Sequence, residues 1–352
     1  MKQEMNIYKI AEEAGVSPAT VSRVITNSAK VSESKRSKVE EIIRKYGYRP
    51  NVLAQGLSNE TMKIIGLVAA DIENPYFSKL LTECSRQIVR RGFAPMVLTT
   101  MSQYALEVKF IQMVSDMRLD AVILMGGKSD ELITDADYSD LVNRVSQTTP
   151  VVTTGKVDGT KCCRIGIDEM QSVDLAMEHL FSLGHRHIAF VGGFDYINSA
   201  YKKRTRYRNF LKSHGVTFRD RYVMDADYDI NGGYTAMNKL LEDNRDRTMP
   251  TAVIAINDFV AVGVIHALKE NGLQVPDDMS VLSFDNTYIS ELILPRMTSV
   301  DYDYEKLGAM LADAAIDLTE RKDVPAYQMI APQLFVRQST GTCSERAANE
   351  KE

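Results

Sequence analysis

The sequence predicts a small all-α headpiece followed by an α/β body made of two doubly wound parallel-sheet lobes. Three observations predict it. The chain has 352 residues, too many for one ordinary core. Short helical periodicities closed by glycine fill the first 50 residues. From Lys63 onward, strand-length apolar runs alternate with amphipathic helical stretches.

Composition bounds the class. Apolar residues make up 44% and charged residues 25%, as in soluble globular proteins. The longest apolar runs, Ile64–Ala70 and Ala121–Met125, fall far short of the roughly 20 residues that a membrane span needs. No apolar leader follows Met1, and the four cysteines (Cys84, Cys162, Cys163, Cys343) have neither metal-ligand nor disulfide-framework spacing. A reduced, cytoplasmic protein is expected. The net charge of −5 divides unevenly: residues 1–60 carry +3 and the remainder −8. A basic segment on an acidic body suits a head that approaches phosphate while the body is repelled from it.

The first helix is expected from Asn6, a capping residue, to Gly15, with Ile7, Ile10, Ala11 and Ala14 on one face. The second begins at Ser17-Pro18, a capping hydroxyl followed by proline at the first helical position. Val21, Val24 and Ile25 then point inward, leaving Ala19, Thr20, Ser22 and Arg23 outward. Two short helices joined by Ala-Gly-Val-Ser form a helix-turn-helix. The outward hydroxyls can reach phosphate, and Arg23 can grip a guanine edge. A third helix follows from Ser32 to Gly47, with Val39, Ile42 and Ile43 as its core face. The same pattern is also compatible with an ordinary three-helix bundle whose polar face meets water.

The literal string decides between these. Ile7-Tyr8-Lys9-Ile10-Ala11-Glu12-Glu13-Ala14-Gly15-Val16-Ser17-Pro18-Ala19-Thr20-Val21-Ser22-Arg23-Val24, followed by Gly47-Tyr48-Arg49-Pro50-Asn51, closely resembles the headpiece of the LacI/GalR family of bacterial transcriptional regulators. The resemblance implies base-reading roles for Pro18, Ala19 and Arg23. It implies phosphate or groove contacts for Tyr8, Thr20, Ser22 and Asn27. Pro18 and Ala19 are short and apolar, so they offer only van der Waals contact. The segment Pro50–Leu57 resembles the family's hinge helix, in which Leu57 would wedge into the minor groove. Gln55 stands where relatives often carry arginine. The candidate DNA-binding set is Tyr8, Ser17, Pro18, Ala19, Thr20, Ser22, Arg23, Asn27, Asn51 and Leu57.

In the body, strands are expected at Ile64–Ala70, Ala94–Thr100, Ala121–Gly126, Val151–Gly155, His187–Gly193, Tyr222–Asp225, Thr251–Asn257 and Val281–Asp285. Helices are expected at Phe77–Arg91, Tyr104–Met117, Glu169–Leu183, Thr205–His214, Gly232–Asn244 and Phe259–Asn271. Ligands of such sheets sit beyond the carboxyl ends of the strands, where Asp71, Asn74, Asp168, Asn257 and Asp285 recur. Such a lining suits a polyhydroxylated or nitrogen-rich small molecule.

The body also resembles the family, whose two-lobed architecture is shared with periplasmic binding proteins. Asp71-Ile72-Glu73-Asn74-Pro75-Tyr76-Phe77 matches the motif after the first strand. Arg206, four before Phe210, is matched to an effector-gripping arginine, and Tyr228 to a stacking ring. Asn257-Asp258 and Ser283-Phe284-Asp285-Asn286 match further polar contacts. The candidate effector set is therefore Asp71, Asn74, Tyr76, Phe77, Asp168, Arg206, Tyr228, Asn257, Asp285 and Tyr302. The stretch from Asp195 to Lys203 is longer than usual. Its basic run Lys202-Lys203-Arg204 reads as a solvated helix start or, alternatively, as positive charge favouring an acidic effector.

No catalytic, metal or cofactor constellation emerges. Gly126-Gly127-Lys128-Ser129 lacks the first glycine of a phosphate loop, that position being Val122, and no Gly-x-Ser-x-Gly or Gly-x-Gly-x-x-Gly pattern occurs. The expectation is a non-enzymatic homodimer, a repressor of a carbohydrate-related operon, that binds double-stranded operator DNA with an affinity controlled allosterically by a sugar, sugar acid or sugar phosphate. A cytoplasmic sugar-binding or sugar-modifying α/β protein is the alternative. The expected domains are a DNA-binding domain at 1–49, a hinge at 50–62, an effector-binding and dimerisation body at 63–340 with crossovers near 165, 296 and 330, and a polar tail at 341–352.

Overall fold

The computed structural model describes residues 5–25, 31–48 and 61–343. Candidate residues Asn27, Asn51 and Leu57, with most of the expected hinge, lie outside them. The chain divides into two compact units, Met1–Met62 and Lys63–Glu352.

The first unit contains α1 (Ile7–Ala14), α2 (Pro18–Ile25) and α3 (Glu33–Tyr46). Their apolar faces meet in a small core of Ile10, Ala11, Ala14, Val21, Val24, Val39 and Ile42. Gly15 closes α1 in the left-handed region at φ 65°, its N–H bonding the carbonyls of Ala11 and Glu12. Glu13 ties α1 to α3 by accepting from Lys45 at 2.7 Å and Tyr46 at 3.2 Å.

The second unit holds two six-stranded sheets. Lobe 1 carries β1 (Ile64–Ala69), β2 (Ala94–Thr99), β3 (Ala121–Met125), β4 (Val151–Thr153), β5 (Cys163–Ile167) and β11 (Tyr327–Ile330). Their spatial order is β11-β5-β4-β3-β1-β2, all parallel. Lobe 2 carries β6 (Ile188–Val191), β7 (Val223–Met224), β8 (Ala252–Ala255), β9 (Ser280–Phe284), β10 (Thr298–Asp301) and β12 (Gln333–Phe335). They are ordered β12-β10-β9-β8-β6-β7, with only β12 antiparallel. Buried on both faces, β1, β3, β6 and β8 read as continuous apolar runs, as central parallel strands should, while the equally buried β9 carries Ser280 and Ser283.

Lobe 1 is covered by α4 (Pro75–Arg90), α5 (Tyr104–Asp116), α6 (Ala136–Ser146) and α12 (Tyr304–Thr319). Lobe 2 is covered by α7 (Glu169–Ser182), α8 (Asn198–Ser213), α9 (Ile230–Asp243), α10 (Asp258–Glu270) and the short α11 (Ile289–Leu292). Helix α8 starts at Asn198, not near Thr205. Lys203 and Arg204 are accordingly interior helical residues, 5% and 2% exposed, rather than a solvated start. Arg204 donates to the carbonyls of Gly192 and Gly193 and to Asp195 and Asp225, fastening the loop after β6.

The chain passes between lobes three times, at 167–169, 301–304 and 330–333. The second passage lies beyond the expected position near 296 because β10 still belongs to the lobe 2 sheet. These segments are neighbours: Asp168 N donates to Ile330 O, and Asp301 pairs with Gln333. All four cysteines are free thiols. Among the described residues no helix is long and apolar enough to cross a membrane, and no His/Cys/Asp/Glu group could hold a metal.

Candidate functional site

In the headpiece, Asn6 Oδ1 accepts from Tyr8 N and Lys9 N at 3.1 Å, and Ser17 Oγ accepts from Thr20 N at 3.2 Å. These caps set both helix starts. Val21 and Val24 anchor α2 from within, leaving Ser17, Ala19 and Arg23 exposed and Pro18, Thr20 and Ser22 half-buried. Tyr8 on α1 is 70% exposed, an unusual setting for an aromatic ring. The arrangement presents one arginine, several hydroxyls and a ring to the outside, the donor set a DNA groove and its phosphates require.

In the body, a cavity of about 790 Å³ lies between the lobes. Of the ten candidate effector residues, it is lined by Asp71, Asn74, Tyr76, Phe77, Tyr228, Asn257, Asp285 and Tyr302. Asn74 caps α4 by accepting from Tyr76 N, with Pro75 at the first helical turn, and so turns the Tyr76–Phe77 pair into the cavity. Tyr76 packs edge-on against Phe77, Tyr302 and Tyr304 at centroid distances of 5.0, 6.3 and 5.8 Å. Asn257 caps α10 through Val260 N and donates to Tyr228 O at 3.0 Å, fixing the loop that carries Tyr228. Gly126, at φ 70°, lets the backbone pass the Phe77 ring; a Cβ there would lie 2.6 Å from Phe77 Cζ.

Two expected residues are placed elsewhere. Asp168 caps α7, accepting from Gln171 N at 3.0 Å, and does not line the cavity; its neighbour Glu169 does. Arg206 forms a bidentate pair with Asp174 of α7, at 2.6 and 2.9 Å, and also stands off the cavity. The cause is helical phase. Tyr207 and Phe210 both face the core, three residues apart, and either can serve as the aromatic from which to count back four. Counting from Phe210 reaches Arg206, whereas counting from Tyr207 reaches Lys203, which lines the cavity.

The motifs also miss Glu107, Asp130, Glu169, Lys203, Tyr104 and Tyr196. Lys203 makes an ion pair with Glu169, and its ammonium lies 5.1 Å from the Phe284 ring centroid and 5.8 Å from that of Tyr302. Asp130 accepts from Ser199 Oγ at 2.5 Å across the cavity mouth, where Leu132 N also donates to Tyr196 O. Glu107 accepts from Tyr138 and from Lys128 N. Burial raises the carboxyl pKa values of Asp130, Glu169 and Asp285, although Ser199 opposes the shift at Asp130 and Lys203 opposes it at Glu169. The lining holds nine carboxylate side chains against two lysines and no arginine. The basic run therefore brings no surplus positive charge, which removes the ground for favouring an acidic effector.

Comparison with known proteins follows the same division. A family profile described as "Bacterial regulatory proteins, lacI family" matches residues 6–51, and one described as "Periplasmic binding protein-like domain" matches residues 177–340. Catabolite control protein A of Priestia megaterium is 31% identical over 340 residues, covering 96% of this chain and 99% of that protein. The transcriptional regulator GalR of Escherichia coli is 29% identical, with 97% and 98% covered. Among solved structures, the lac repressor dimer bound to operator and the anti-inducer ONPF superposes with a TM-score of 0.85 at 25% identity, covering 96% and 100%. A complex of the transcriptional regulator CelR with cellobiose gives a TM-score of 0.70 at 25% identity.

Proposed function

Because this chain belongs to the LacI family of bacterial transcriptional regulators, we propose that α2 reads an operator while the inter-lobe cavity takes a small polyhydroxylated effector that sets operator affinity. The protein is a DNA-binding regulator and not an enzyme. Arg23 is assigned to a base edge, and Tyr8, Ser17, Thr20 and Ser22 to phosphate and groove contacts, with Pro18 and Ala19 against the bases. Asn27, Asn51 and Leu57 would complete the DNA-binding set.

One observation carries the effector reading. A cavity of about 790 Å³, large enough for a mono- or disaccharide, is lined from both lobes by aromatic rings and hydrogen-bonding groups. A ligand touching both lobes binds one lobe angle better than another, and only such differential affinity can shift an equilibrium. The resulting coupling is expected at about 1–3 kcal/mol, or roughly 5–150-fold in operator affinity. The CelR relative was solved with cellobiose, which fits a polyhydroxylated ligand class.

The working form is a homodimer reading a pseudo-palindromic operator in the bacterial cytoplasm. Exposed apolar side chains on lobe 2, among them Tyr288, Leu292 and Leu294, supply a face for the second copy. Fluorescence anisotropy of the full chain on genomic promoter fragments, with and without pooled metabolites, tests the proposal. The expected result is salt-sensitive, sequence-selective binding whose affinity changes with metabolite. Binding that is unselective, or indifferent to every metabolite, would refute it.

A further inference from the structure

The cavity floor is short of positive charge at one defined place. Asp285 closes β9 with φ at 92°, a left-handed conformation in which a non-glycine residue is strained. Its backbone is fully used: the N–H donates to Val300 O, and the carbonyl accepts from Tyr304 Oη at 2.8 Å. The side chain is nine-tenths buried in the cavity lining, yet no hydrogen bond among the described residues reaches its carboxylate. Tyr302, fully buried beside it, has an Oη without a hydrogen-bond partner among the described residues. The buried phenol left unmatched costs free energy unless a ligand satisfies it, and the Asp285 carboxylate faces the cavity with no protein donor among the described residues, open to a ligand.

The nearby cations are already engaged. Lys203 is held by Glu169. Arg204 is spent on Asp195, Asp225 and the Gly192 and Gly193 carbonyls. Lys79 donates to Asn286 O and lies 4.1 Å from the Tyr304 ring centroid, with Asp301 at 3.9 Å. Lys202, near Asp130 and Glu169, does not line the cavity. Three acids, Asp130, Glu169 and Asp285, thus share one lining lysine. Tyr76 and Tyr302 meet edge-on at 6.3 Å close to Asp285, and such rings attract cations through their electron-rich faces.

Resting on the effector reading above, we propose that the effector carries a protonated amine as well as hydroxyls, an amino sugar being the simplest such molecule. Its ammonium sits against the Asp285 carboxylate beside the Tyr76 and Tyr302 rings. A hydroxyl at that position would donate a single neutral hydrogen bond. An ammonium adds charge neutralisation, and charge-assisted hydrogen bonds are about twice as strong as neutral ones, which corresponds to a preference of roughly tenfold.

Calorimetric titration of the full chain with matched sets (glucose, glucosamine and glucuronate; galactose, galactosamine and galacturonate) tests this directly. The amine of at least one set is expected to bind about tenfold tighter than its parent sugar, with the acid weakest. Asp285→Asn should shrink that gap to about twofold, and Tyr302→Phe should narrow it less. Parent sugars binding as tightly as amines, an undiminished gap in Asp285→Asn, or binding of no member would each overturn the proposal. Metabolite extract split by cation exchange and assayed on the operator complex separates two kinds of failure. Activity confined to the unretained fraction defeats the amine while leaving the effector cleft standing; activity in no fraction defeats the cleft itself.

Discussion

In the headpiece, Arg23, Ser17 and Tyr8 stand exposed on short helices, and the core beneath them is a handful of aliphatic side chains. In the body the chemical groups are inside: Lys203 is 5% exposed, Asp285 9%, and Asp258 2%, the last satisfied by Ser283, Ser299 and Thr287. The difference lies in what solvent does. Exposed charges on the head remain hydrated until a polyanion displaces water and counterions, so their loss alters binding more than folding. The buried charges of the cavity, Lys203, Glu169 and Asp285, are already largely desolvated, and removing one disturbs both the ligand site and the fold around it.

Substitutions can break or sharpen that contrast. The largest effect is expected from Lys203→Ala, which leaves Glu169 buried without its partner. Stability of the body should fall by about 3–5 kcal/mol in urea denaturation, and a loss below about 1 kcal/mol would mean that the cavity tolerates stranded charge as the surface does. Next comes Arg23→Ala, expected to weaken operator binding by about 1–3 kcal/mol at fixed salt while the urea midpoint stays put. A shifted midpoint would erase the distinction between the two regions. Asn6→Ala removes the cap from Tyr8 and Lys9 and should cost about 1 kcal/mol, read as faster amide exchange over residues 7–14 with the body unaffected. The smallest effect belongs to Arg206→Ala. Its pair with Asp174 is partly exposed, so stability should change by roughly 0–1 kcal/mol and the response to effector should survive. Loss of that response would return Arg206 to the binding site.

The contrast also explains what could be read from the chain directly. Helix-turn-helix signals are local: Asn6, Gly15 and Ser17-Pro18 act within a few residues of the helices they start or stop. The apolar runs that became β1, β3, β6 and β8 were equally plain, because central parallel strands are buried on both faces. Cavity residues adjoining strand ends, such as Asp71, Asn257 and Asp285, were found by the same rule. Lys203, Glu169 and Asp130 were not. Lys203 depends on the rotational phase of α8, which two aromatics three residues apart leave ambiguous, and on a start at Asn198 that carries no side-chain cap. Asp130 reaches Ser199 across 69 residues of sequence, and no local pattern announces such a meeting.

The three neighbouring passages between lobes have a mechanical consequence. A single strand would let one lobe swivel in any direction, like a ball in a socket. Three side by side, laced by the Asp168–Ile330 and Asp301–Gln333 contacts, work as a door hinge that swings about one line and resists twist and sideways slip. Whatever wedges or clamps that door drives the same narrow arc, so chemically unlike molecules can deliver one instruction.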